Sequence, residues 1–212
     1  MPTIKIDLFS DPVCPWCLVG LARLDLALSK LPDDAQVDVE HHPFLLDANS
    51  PVEGEDVVEM LRRKYGRDPF EMWDRLESDA KDLGVSLDMR KQKFRYASQA
   101  AHTLIVEARA KGTQHALAKA IGNAYYLEAQ NIADPDVLAQ IAKEFGFGVD
   151  EAKSIATDEL RRQAIEQAAI GAAGQGIQGV PFFVFNNKYA LSGSQPIEVF
   201  SQVFDTVISE SD

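Results

Sequence analysis

The chain has 212 residues, 46% of them hydrophobic and 25% charged, the make-up of an ordinary folded protein long enough to bury a full core. Its 33 Asp and Glu against 21 Lys and Arg give a formal net charge of −12, which argues against nucleic acid or an anionic membrane as the main partner. No run of 18 apolar residues occurs and the opening residues, through Asp7, carry neither a basic stretch nor a cleavable apolar core, so a cytoplasmic protein is expected.

Residues 3–9 alternate Ile4, Ile6 and Leu8 with Lys5 and Asp7 and predict a strand ended by Ser10-Asp11-Pro12. Directly after it comes Cys14-Pro15-Trp16-Cys17, holding the only two cysteines of the chain. From Pro15 to Leu31 the positions Val19, Leu21, Leu24 and Leu28 predict a helix stopped by Pro32-Asp33-Asp34. If Cys14 opens that helix, the two cysteines lie roughly 5–6 Å apart on one turn, within the separation a disulfide tolerates. Unpaired amides and the helix dipole favour a thiolate at Cys14, and Pro15 suits the first helical position. The spacing describes an attacking thiol and a resolving thiol. A structural zinc site would need two more ligands, and His41, His42, His102 and His115 are all distant in sequence, so no metal is expected. In a reducing cytoplasm a lone Cys-x-x-Cys reads as a redox catalyst and not as a staple.

A second strand is predicted at about 36–42, giving strand, helix, strand with the cysteines at the carboxyl end of the first strand, where open α/β sheets place their sites. His41 and His42 are neighbours on that strand and point to opposite faces, so they do not share one ion. From about residue 53 helical spacing takes over: helices are predicted around Val57–Tyr65 and Phe70–Leu83, then from Ser98 to Gly112, from Thr113 to about Gln130, and from Asp134-Pro135 to Gly146. Residues 51–164 thus read as an inserted α-helical subdomain. Met60, Met72, Trp73, Tyr125 and Tyr126 recur at helical spacing and read as core, those nearest the cysteines being available to line a groove; His102 reads as a buried, hydrogen-bonded histidine. A helix at about 157–173 leads through Gly174, Gly176 and Gly179 into Val180-Pro181-Phe182-Phe183-Val184-Phe185, whose proline marks a strand start or a cis turn. Asn186-Asn187-Lys188 then turns the chain into a partner strand, and a helix from about Pro196 to Ile208 closes it. Residues 1–50 and 165–212 form the two halves of one α/β domain.

This order of elements, with Cys14-Pro15-Trp16-Cys17 early and Gly179-Val180-Pro181-Phe182-Phe183-Val184-Phe185 late, resembles the DsbA-like thioredoxin superfamily. Asp11 through Cys17 match the Asp-x-x-Cys-Pro-Trp-Cys of its FrnE-like cytoplasmic oxidoreductases. The resemblance implies a thioredoxin fold with an α-helical insertion, Cys14 as exposed nucleophile, Cys17 as buried resolving thiol and Pro181 as a cis-proline packed against the pair. It further implies that the backbone of Val180 pairs with an extended substrate segment, and places Asp7 as the buried acid beneath Cys17. Trp16 stands where other members carry a histidine and brings no cationic charge, which implies a less oxidising pair. Ala97 to His102 lacks the Asn that FrnE-like proteins often carry in the insertion.

The function implied is thiol–disulfide exchange with protein or small-molecule thiols through a mixed disulfide on Cys14, with reductase or isomerase action favoured in a reducing cytoplasm. No cofactor beyond the Cys14–Cys17 disulfide is expected, and glutathione is admitted as a co-substrate. The alternative is a glutathione-dependent isomerase or transferase of the 2-hydroxychromene-2-carboxylate isomerase type, whose motif has Ser where Cys14 stands and which has no use for Cys17. A third reading is a binding or chaperone module. Nothing in the sequence selects between a monomer and a homodimer.

Overall fold

A computed structural model describes residues 3–210. In chain order its elements are β1 (Thr3–Ser10), α1 (Pro15–Leu28), β2 (Gln36–Pro43), β3 (Glu55–Asp56), α2 (Val57–Tyr65), α3 (Phe70–Asp82), β4 (Phe94–Arg95) and α4 (Gln99–Glu107). They continue with α5 (Gln114–Leu127), α6 (Pro135–Lys143), α7 (Val149–Thr157), α8 (Glu159–Gly174), β5 (Phe182–Phe185), β6 (Tyr189–Ser192) and α9 (Ile197–Ser209).

The alternation in β1 places Ile4, Ile6 and Leu8 on one buried face. Four strands form one sheet in the order β2-β1-β5-β6, with β2 parallel to β1 and both β1–β5 and β5–β6 antiparallel. Asn186 and Asn187 turn the β5–β6 hairpin with φ of 47° and 55°, a left-handed conformation that asparagine tolerates. Phe183 and Phe185 pack from β5 onto Phe200 and Phe204 of α9, edge to face, and close a core with the three β1 residues.

The first helix serves two cores at once. Leu21, Leu24 and Ala27 enter the sheet core, while Leu18 and Val19 enter the core of the helical insertion with Trp73, Leu76, Leu104 and Tyr125. A helix buried on two sides is apolar nearly all round, and that is why its sequence reads Leu-Val-Gly-Leu-Ala-Arg-Leu.

The chain differs from expectation in three places. First, α7 lies in a stretch to which the sequence reading assigns no helix of its own: Gly148 supplies no side chain to mark a helix start, and the cap comes from Glu151, whose carboxylate accepts from the Gly148 N–H at 2.9 Å. Asp158 then ends α7 and caps α8, so the boundary read at 164/165 falls inside one continuous helix. Second, β3 and β4 form a two-residue antiparallel ladder in a region read as wholly helical; two residues carry no periodicity to detect. Third, α1 ends at Leu28 and not at Leu31, the chain continuing in turn bonds from Lys30 to Ala27 and from Leu31 to Leu28. Asp134 caps α6 with Pro135 at its first position, as the sequence predicts.

Candidate active site

Cys14 is the N-cap of α1, with extended backbone angles, and no side chain caps this helix start. Its thiol lies 3.6 Å from the carbonyl oxygen of Val180, to which it donates, and the Val180–Pro181 peptide bond is cis. Cys17 lies one turn on, its backbone N–H donating to the Cys14 carbonyl at 3.0 Å. Burial pushes the Cys17 thiol well above its ordinary range, and its hydrogen bond with Cys14 and the Cys14 charge push the same way; a backbone hydrogen bond with Asp11 acts against them. One thiol of the pair is thus held protonated beside its neighbour. α1 approaches the proline closely because residue 20 is glycine: a Cβ there would lie 2.7 Å from Pro181 Cγ.

Two expectations about this site change. Cys14 is only 5% exposed, because the Val180 segment covers its sulfur on one side, so it faces a groove and not open solvent. The acid beside Cys17 is Asp11, not Asp7. Asp11, 1% exposed, accepts from the N–H groups of Val13 and Leu46, and its carboxylate adds to the upward push on Cys17. Asp7 lies on β1 and bonds the Nε2 of His42 at 2.8 Å and Lys5 at 3.2 Å. The signal that could have found Asp11 is its place three residues before Cys14. Tyr126, read from the sequence as core, donates its hydroxyl to the Val13 carbonyl at 2.6 Å and so fixes the chain just before Cys14. His102 is buried and hydrogen-bonds the Phe44 carbonyl at 3.1 Å, as read from the sequence.

The pair lies between two cavities. Cys14 lines a groove of about 280 Å³ between the two lobes, walled by Trp16, Met60, Met72, Trp73 and Met89 with Lys64 and Arg95 among them. Methionine side chains are adaptable, and such a wall accepts apolar groups of varied shape. Cys17 lines a separate cavity of about 310 Å³ between α1 and α5, which Asp25 and Lys119 also line.

Residues 5–205 match the DSBA-like thioredoxin domain. The chain belongs to that family. The DSBA-like protein is 29% identical to the probable DsbA oxidoreductase SCO1869 of Streptomyces coelicolor, whose crystal structure superposes with a TM-score of 0.88 over 98% of this chain and 91% of that one. It is 28% identical over 205 residues to YwbO of Bacillus subtilis, covering 94% of this chain and 95% of the other. At 21% identity it shares its fold with the cytosolic disulfide reductase DsbM of Pseudomonas aeruginosa, solved with GSH, at a TM-score of 0.66 over 97% of this chain and 99% of that one.

Next to the Cys17 cavity the DSBA-like protein carries a polar chain. His41 Nε2 donates to His115 Nδ1 at 2.9 Å, and His115 Nε2 donates to Asp25 at 2.8 Å; one neutral tautomer of each ring satisfies both bonds. Against the upward push of burial, His115 and Lys119 hold the Asp25 carboxyl below its ordinary range. Burial, with the neighbouring histidines, holds His41 well below the ordinary 6.5. Its folded-state pKa is thus depressed, and the unfolded chain takes up a proton first as pH falls. Stability is therefore expected to drop between pH 7 and 5, by up to about 1.4 kcal/mol per pH unit for this one group. The depressed carboxyls of Asp25, Asp38 and Asp47 act only near and below 3.8. Urea unfolding at steps across pH 7 to 5 reads this slope, and His41→Gln should flatten it.

Proposed function

We propose that this protein is a thiol–disulfide oxidoreductase that works through Cys14, with Cys17 as the resolving thiol. The observation that carries the reading is the pairing of an uncapped helix start at Cys14 with the Val180 carbonyl 3.6 Å from its sulfur, one turn from a thiol held protonated. Cys14, as thiolate, attacks one sulfur of a substrate disulfide; a mixed disulfide forms and one substrate thiolate leaves. Cys17 then gives up its proton and attacks the Cys14 sulfur, which releases the second substrate thiolate and leaves a Cys14–Cys17 disulfide, two electrons having passed to the substrate. The cis loop at Val180–Pro181 orients an extended substrate segment towards Cys14, and apolar groups beside the substrate disulfide enter the methionine-walled groove. Two glutathione molecules restore the dithiol, becoming oxidised glutathione. The likeness to DsbM, a cytosolic disulfide reductase solved with GSH, supports the reductive direction and the cytoplasm as the place of work. Among the described residues no helix is long and apolar enough to cross a membrane.

The test is the redox equilibrium of the pair in glutathione buffers, read from Trp16 fluorescence. A single reversible two-electron transition is expected, the ratio of reduced to oxidised protein changing tenfold for about every 30 mV of buffer potential. Reversible glutathione binding with no transition would overturn the reading and favour the isomerase or transferase chemistry, in which Cys14 serves only to anchor a thiolate.

A further inference from the structure

On the sheet face away from α1, three side chains of two neighbouring strands converge. Asp7 of β1 is paired in register with Glu40 of β2, and Phe9 with His42, so residues 7, 40 and 42 share one face. Phe9 stacks on the His42 ring, centroids 4.8 Å apart at 23°, and fixes the direction of its nitrogens. The carboxylate oxygens of Asp7 and Glu40 and the ring nitrogen of His42 all lie within 4.8 Å of one another. A second observation points to a ligand. Asp7 is 8% exposed, its Oδ1 takes His42 and Lys5, and its Oδ2 is buried with no hydrogen-bond partner among the described residues. Asp7 and His42 also wall a cavity of about 530 Å³ under α8.

We infer that Asp7, Glu40 and His42 form a binding site for a divalent transition metal of the zinc class. One imidazole nitrogen and two carboxylates suit such an ion, and three protein ligands leave a fourth position that the adjoining cavity gives to water. Ligand atoms around a tetrahedral ion lie about 3.3–3.6 Å apart, so the half-exposed Glu40 must move inward by about an ångström. His42 binds through Nε2 and carries its one proton on Nδ1; the Asp7 carboxylate, relieved of that donor, gives one oxygen to the ion. Lys5 now takes the cation's place. Its Nζ lies 3.2 Å from Asp7 and 3.8 Å from Glu40, and its side chain, 41% exposed, is free to swing into solvent. Arg109 approaches Glu40 at 3.7 Å but is held mainly by Asp38. The site is thus one in which a metal and a lysine compete.

The experiment measures zinc affinity by competition with a chromophoric chelator, using the full chain with Cys14 and Cys17 both replaced by Ser so that no thiol contributes. One equivalent of Zn²⁺ is expected. His42→Ala should weaken it by more than about 100-fold, beyond the 10–100-fold typical of outer partners. Lys5→Met, which removes the competing charge without touching a buried group, should tighten it by about tenfold. Binding that survives His42→Ala, or that is lost in His115→Gln instead, would overturn the site, as would a Lys5→Met protein with unchanged or weaker affinity. If Asp7→Asn fails to fold, Glu40→Gln and Lys5→Met still decide the question.

Discussion

Incubated with a protein or glutathione disulfide, the Cys17→Ser protein accumulates a covalent mixed disulfide at Cys14, and the Cys14→Ser protein does not. The expectation rests on three differences within one helical turn. Cys14 lines the groove, its sulfur contacts the Val180 carbonyl, and it sits at the uncapped end of α1. Cys17 is 2% exposed and its thiol is pushed well above 9.0 by burial and by its neighbour, so less than about 1% of it is thiolate at pH 7. Attack by Cys17 alone is therefore expected to be slower than attack by Cys14, since deprotonation and access both oppose it. Mass spectrometry after acid quenching measures both adducts. An adduct on the Cys14→Ser protein with none on the Cys17→Ser protein would reverse the two roles.

Gly20→Ala is the second change with a large expected effect, and it reaches the site without touching a cysteine. The added methyl would lie 2.7 Å from Pro181 Cγ and 3.5 Å from Phe183 Cζ, closer to the proline than van der Waals contact allows. Helix propensity favours alanine by up to about 1 kcal/mol, yet overpacking of this kind costs about 1–3 kcal/mol, so net destabilisation is expected. Because the strain falls on Pro181, the loop must move away from α1 and carry the Val180 carbonyl with it. Exchange should slow by more than the loss of folded protein explains. Denaturant titration gives the first quantity and single-turnover mixed-disulfide formation on folded protein gives the second; an unchanged rate would mean that the loop does not position Cys14.

The legible parts of this protein were the local ones. Ile4, Ile6 and Leu8 alternate within one strand, Cys14 through Cys17 lie within one helical turn, and Val180-Pro181 directly precedes an apolar strand, so neighbouring residues alone announce them. What escaped is set by pairing across the chain. Asp7 could be taken for the acid under Cys17 because nothing in the order of residues shows that β2 brings His42 within hydrogen-bond reach of it, or that the buried carboxylate whose charge acts on Cys17 is Asp11. The groove is similar: Met60, Met72 and Met89 come from separate segments of the insertion, and only packing puts them on one wall beside Trp16. Helix α7 was hidden because its cap is a glycine served by Glu151, a partner three residues ahead.

The central position of β1 bears on how the protein is made. The strand that leads to Cys14 leaves the ribosome before the β5 segment that flanks it, and the Val180 carbonyl that covers Cys14 comes 166 residues after Cys14. At about 5–20 residues per second, that is an interval on the order of 10–30 s. During it both sulfurs are on a nascent chain without their lid, open to whatever disulfides and oxidants the surroundings hold. The two sulfurs thus spend that interval of synthesis without the segment that later covers Cys14.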